Sequence, residues 1–94
     1  MDRQDPVVRA RLTRKVVWLR EQKSKPCADC GNTFDSVCMD YHHLDESTKK
    51  GSVAVLVNND HSMKVIQKEI DKCVLICSNC HRLRHKSQLY KLAI

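Results

Sequence analysis

Cys27-Ala28-Asp29-Cys30-Gly31-Asn32 and Lys72-Cys73-Val74-Leu75-Ile76-Cys77-Ser78-Asn79-Cys80-His81-Arg82-Leu83-Arg84-His85 decide how this chain is read. Each contains a Cys-x-x-Cys unit, Cys27/Cys30 and Cys77/Cys80. Two such knuckles supply four thiolates, the donor set of a closed, tetrahedral, structural zinc site. Gly31 suits the left-handed turn that ends the first knuckle. Residues 31–76 between the pairs are more than a simple zinc ribbon needs, so this insertion is expected to carry structure of its own. Cys38 and Cys73 fall outside the pattern and are expected to pack as small apolar residues within strands.

Histidines form the second group. Four of the five are clustered, as His42-His43 and His81-x-x-x-His85. Residues four apart on a helix project from one face, so His81 and His85 can clasp one metal ion. In an extended segment His42 and His43 point to opposite sides, so one can ligate while the other stays free to accept a proton. Four cysteines already saturate one zinc, so a second metal centre at the histidines is expected, the alternative being a single zinc site with the histidines as accessory or surface residues. His61, in a polar turn, is expected to be solvated.

Working outward, Asp5-Pro6 reads as an N-cap followed by proline at the first helical position. Val8, Leu12, Val16 and Leu19 then recur at helical spacing, and Lys25-Pro26 ends the helix. Val37 to His42 alternates as a short strand, and Cys73 to Ile76 reads as a second. Val53 to Val57 fits either a buried strand or a short helix. Asn58-Asn59-Asp60 reads as a turn, and Ser62 as the cap of a helix through Asp71 with Met63, Ile66 and Ile70 on one side. From Ser78 a basic helix is expected, carrying Leu83, Leu89, Tyr90 and Leu92.

Composition narrows the possibilities. Ninety-four residues fit one domain, and a chain of that size buries only ~60–65% of its unfolded surface. With four aromatic residues, Trp18, Phe34, Tyr41 and Tyr90, a metal staple is a reasonable supplement to a small core. No apolar run approaches the ~20 residues of a membrane span. The start of the chain has no apolar stretch resembling a signal peptide, so the expected compartment is the reducing cytoplasm, where paired cysteines more often hold metal than form disulfides. The net charge is +6 and the pI near 9.2. Residues 1–26 carry +5, residues 81–94 carry +4, and residues 27–80 carry −3. Two basic ends flanking an acidic middle favour a polyanionic partner.

Cys27-x-x-Cys30, then Asp40-Tyr41-His42-His43-Leu44-Asp45, then Lys72-Cys73-Val74-Leu75-Ile76-Cys77-Ser78-Asn79-Cys80-His81 with His85, resembles the HNH nucleases. The likeness is to small stand-alone members from bacteriophage and bacterial genomes, and it covers residues 27–85. It implies a small α+β fold with a treble-clef-like ββα-metal core, a four-cysteine zinc site and an N-terminal basic helix. The division it implies is a basic helical arm at 1–26, the zinc and ββα-metal core at 27–85, and the end of the C-terminal helix at 86–94. It further implies a metal-dependent DNA endonuclease that nicks as a monomer and leaves 5′-phosphate and 3′-hydroxyl ends. By the same resemblance His43 is the general base, and His42, His81 and His85 hold a catalytic divalent ion (Mg²⁺, Mn²⁺, Ni²⁺ or Zn²⁺). Neutral imidazoles bind a borderline metal, and histidine takes a proton near neutral pH.

One position departs from the family pattern. The middle asparagine, which braces the loop bearing the base, falls near Lys72. A lysine can donate to a backbone carbonyl but lacks an amide's paired donor and acceptor; Asn58 and Asn59 are the other candidates. Asp40 is a candidate to orient a histidine, whereas Asp45 reads as an ordinary exposed acid. Arg82, Arg84 and Lys86, interleaved with His81 and His85, and Arg9 and Arg14 on the first helix, are the expected phosphate contacts. Such contacts carry no base information, so salt-sensitive DNA binding of low sequence specificity is expected. The alternatives are a zinc-stapled DNA-binding module without catalysis and an accessory protein of a phage packaging machine. A homodimer is a further possibility, since one site cuts one strand.

Overall fold

The computed structural model describes residues 4–86. Helix α1, Pro6–Gln22, starts where Asp5 accepts hydrogen bonds from the backbone N–H groups of Val7 (2.8 Å) and Val8 (3.4 Å). Its C-terminal N–H at Lys23 folds back onto the carbonyl of Leu19 at 3.0 Å, and Pro26 follows three residues later. Strand β1, Met39–His43, then helix α2, Val53–Asn58, helix α3, Met63–Ile70, strand β2, Cys73–Cys77, and helix α4, Ser78–Arg84, complete the order. The result is a small α+β fold of four helices and one two-stranded antiparallel sheet among the described residues.

The ambiguous segment at 53–57 is helical. Ser52 accepts from the N–H of Val55 at 3.2 Å, and Val53, Leu56 and Val57 are buried while Ala54 and Val55 are exposed. A strand would have placed 53, 55 and 57 on one face. Ser62 caps α3 in the same way through Val65 N–H. Between them Asp60 takes a left-handed conformation, φ 57°, which aspartate tolerates better than most side chains.

One strand expectation needs correction. The alternation at 37–38 does not extend β1, because Asp35 accepts from Val37 N–H at 3.0 Å and winds Ser36–Cys38 into a 3-10 turn. A short polar side chain here offers the backbone an alternative to the sheet ladder. Cys38 is therefore exposed and outside the core, whereas Cys73, in β2, is half-buried. Helix α4 ends at Arg84 with His85 as its cap residue, and the expectation of a helix through Leu92 lies, from 87 on, outside the described residues.

The hydrophobic interior is divided. Leu19 of α1, Val53, Leu56 and Val57 of α2 and Ile66 of α3 form one cluster, with Val16, Trp18, Tyr41, Val65, Ile70 and Cys73 packed around it. Helix α1 thus packs on the main core through Leu19, with Val16 and Trp18 beside it. The helix is pinned further by Arg11 and Lys15, both on Asp60 at 2.5 Å. Cys27, Met39, Ile76, Cys77 and Cys80 form the second cluster. The two are bridged by the sheet, whose register pairs Met39 with Cys77, His42 with Val74 and His43 with Cys73. Among the described residues no helix is long and apolar enough to cross a membrane.

Candidate metal centres

The first knuckle is a tight turn. The N–H of Gly31 bonds to Cys27 O (2.8 Å) and that of Cys27 to Asn32 O (2.9 Å), with Gly31 at φ 77°. Ala28 N–H reaches Leu75 O at 2.9 Å, which fastens the knuckle to β2. The second knuckle is the start of α4, where Cys77 caps the helix by accepting from Cys80 N–H. One sulfur from each of Cys27, Cys30, Cys77 and Cys80 lies within 4.8 Å of the others.

The donor chemistry fits a structural metal such as zinc. The backbone N–H groups of Cys30 (3.5 Å) and Cys77 (3.3 Å) point at Cys27 Sγ, and Asn32 Nδ2 at Cys30 Sγ (3.7 Å). Burial pushes the Cys27 thiol up, but donors from Cys30, Cys77 and Asp29 outweigh it and bring the group down to about 6. Contact with the Cys77 thiol, then burial, pushes Cys80 the other way. Four sulfurs this close cannot all ionise unless a cation sits among them.

The second cluster comes from β1 and α4. Asp40 and His42, two apart, share the sheet face turned toward α4, where His81 and His85 stand one turn apart. The three rings meet in a triangle with centroids 5.1–5.2 Å apart and edge-to-face orientations. One donor nitrogen of each lies within 4.8 Å of the others. Asp40 Oδ2 is 3.1 Å from His81 Nδ1, which leaves Nε2 of that ring as the outward donor. Burial, then the neighbouring His81, lowers the pKa of His42. Three neutral imidazoles converging on one point suit a borderline divalent ion.

His43 points the opposite way. It is 4% exposed, and its Nε2 lies 2.7 Å from Glu69 Oε2 on α3. Glu69 is 1% exposed and also accepts from the N–H of Lys50 (3.0 Å) and from Lys72 Nζ (3.0 Å). Burial would raise this carboxyl, but hydrogen bonds from Lys72, Lys50 and His43 hold it down to about 2. Lys72 Nζ donates a second bond to Thr48 O at 2.7 Å. Lys72 thus braces the loop after β1 directly. Asn58 and Asn59 stand at the far end of α2, as its last residue and its cap residue. Asp45 caps a 3-10 turn at Glu46–Thr48.

His42, His43, Asp40 and His81 line a cleft of about 300 Å³ together with Lys23, Glu46, Lys49 and Ser52. The basic residues expected at a phosphate are placed differently. Arg84 is held by Asp29 through two bonds of 2.7 Å, which tie α4 to the first cysteine knuckle. None of Arg9, Arg14, Arg82, Arg84 and Lys86 lines the cleft; Lys23 and Lys49 do. Reading the sequence alone missed Glu69, Lys23 and Lys49. Only Glu69 left a sign, as an acid falling on the apolar Ile66/Ile70 stripe of α3. His61 is half-buried and its carbonyl accepts from Lys15. No family model, no curated protein and no solved structure matches the chain.

Proposed function

We propose that this chain is a metal-dependent phosphodiester hydrolase of the HNH kind that nicks DNA. The observation that carries the reading is the opposition of four histidines across one strand and one helix. His42, His81 and His85 converge on one side, and His43 stands on the other side of β1 at the wall of the same cleft. A divalent ion at the three imidazoles would neutralise charge on a phosphate and its leaving oxygen. His43 would take a proton from water as the water oxygen bonds to phosphorus and the phosphorus–O3′ bond breaks. That proton returns through solvent to the 3′ oxygen, leaving 5′-phosphate and 3′-hydroxyl ends. Lys23 and Lys49, at the rim, would position the DNA backbone without reading bases.

The test is nicking of supercoiled plasmid by metal-stripped, zinc-reconstituted protein with Mg²⁺, Mn²⁺, Ni²⁺ or Zn²⁺ added singly. Open circles should form only with metal, and His43→Ala should slow them ~10²–10⁴-fold, the range of a lost general base. Equal nicking by the variant would refute His43 as the base. The near-complete burial of His43 favours a second reading, a zinc-stapled DNA-binding module without catalysis. Folded protein that holds zinc, binds DNA and nicks with no ion would decide for it.

A further inference from the structure

We propose that Glu69 is the positioning residue that fixes the ring of His43 for proton abstraction, an inference that rests on the hydrolase reading above. An ionised carboxylate only accepts hydrogen bonds. The ring nitrogen facing Glu69 Oε2 at 2.7 Å must therefore carry the hydrogen. In the neutral ring that selects the Nε2–H tautomer, whose lone pair is on Nδ1, the form a base requires.

Two further donors converge on the same carboxylate, Lys50 N–H on Oε2 and Lys72 Nζ on Oε1. Lys72 also holds Thr48 O. One buried side chain on α3 therefore anchors both the candidate base and the loop that brings Glu46 and Lys49 to the cleft. A glutamine in its place presents one oxygen and an NH₂ group to three donors, so at least one of them loses its acceptor on this side chain. Its partners are His43, Lys50 and Lys72, and His43 leaves β1 on the face opposite His42, so loss of the carboxylate should spare metal binding.

The experiment compares zinc-loaded wild type, Glu69→Gln, His43→Ala and the double variant. It uses plasmid nicking at limiting and saturating DNA, Ni²⁺ titration of the histidine cluster, and long-range ¹H–¹⁵N correlation of the imidazole rings. For Glu69→Gln we expect kcat to fall about 10–100-fold, the usual loss for a residue that orients a site histidine. KM and Ni²⁺ affinity should stay within about twofold. His43 should change from a single Nε2–H tautomer to a mixture, and the double variant should be no slower than His43→Ala. An unchanged His43 tautomer, a wild-type kcat, or an additive double variant would overturn the proposal. If the wild type does not nick, the hydrolase reading fails, and the tautomer comparison still decides whether Glu69 orients His43. Should Glu69→Gln not fold, Glu69→Asp keeps the charge but withdraws it by one methylene, and the same tautomer mixture is expected.

Discussion

His42 and His43 are neighbours in sequence with opposite surroundings, and the pleat of β1 is the cause. Successive side chains on a strand leave on opposite faces, so His42 meets His81 and His85 on α4 while His43 meets Glu69 on α3. The two should fail differently when truncated. His42→Ala removes one of three donors and should weaken Ni²⁺ or Co²⁺ binding at least about tenfold by calorimetry. His43→Ala should leave that affinity within about twofold while slowing nicking ~10²–10⁴-fold. Equal loss of metal by both variants would mean that His43 also supports the ion site, and its separate role would fall. The alternation was readable from the residues because a histidine doublet at the end of an apolar-polar run has few other meanings. The partner of His43 was not, because Glu69 lies 26 residues away on another element.

At the scale of elements, caps were legible and buried charges were not. Asp5 and Ser62 precede their helices and accept early free N–H groups, so local chemistry alone announced them, whereas the cap at Ser52 was not read from the sequence. Lys15 and Glu69 fall instead on apolar stripes, in register with Leu12 and Leu19 on α1 and with Ile66 and Ile70 on α3. Hydropathy patterning treats such a residue as an interruption, although each is buried because a polar group from a distant segment meets it. Asp60 is that partner for α1. Hydrogen bonds from Arg11 and then Lys15 lower its carboxyl from the ordinary 3.8 to about 2. A carboxyl whose folded pKa is depressed contributes stability above its unfolded pKa, and that contribution is lost as pH falls through the folded value. Asp60→Asn keeps a side chain that tolerates the left-handed backbone and removes only the charge. The variant should melt below wild type at pH 7, and the gap should narrow from about pH 4 downward and close near pH 2. A gap that stays constant from pH 7 to pH 2 would show that the ion pairs are energetically silent.

At the scale of the whole molecule, the two clusters differ in what holds them. The helical cluster is built from Leu19, Val53, Leu56, Val57 and Ile66, ordinary aliphatic packing. The other consists of Met39, Ile76 and three cysteines, too little apolar volume to hold a knuckle, a strand pair and a helix start without a metal. Yet this second cluster carries the candidate chemistry, because Cys77 and Cys80 fix the first turn of α4 and Asp29 clamps Arg84 at its last. Loss of the zinc site should therefore remove metal binding at the histidines, whereas loss of a histidine should leave the fold standing. Cys27→Ser should release zinc, lower the thermal midpoint by more than about 10 °C, since structural zinc contributes several kcal/mol to a domain of this size, and abolish Ni²⁺ binding at the histidines. His85→Ala should remove Ni²⁺ binding while shifting the midpoint by less than about 5 °C, as a half-buried helix-cap residue costs little. Atomic absorption and melting curves on the two variants measure both quantities. If His85→Ala destabilises the chain as much as Cys27→Ser, the histidine cluster would be a second structural staple and the cleft beside it would lose its claim to catalysis. If Cys27→Ser keeps Ni²⁺ at the histidines, α4 would be positioned by its packing on the sheet, and the zinc knuckles would matter to the fold more than to the site.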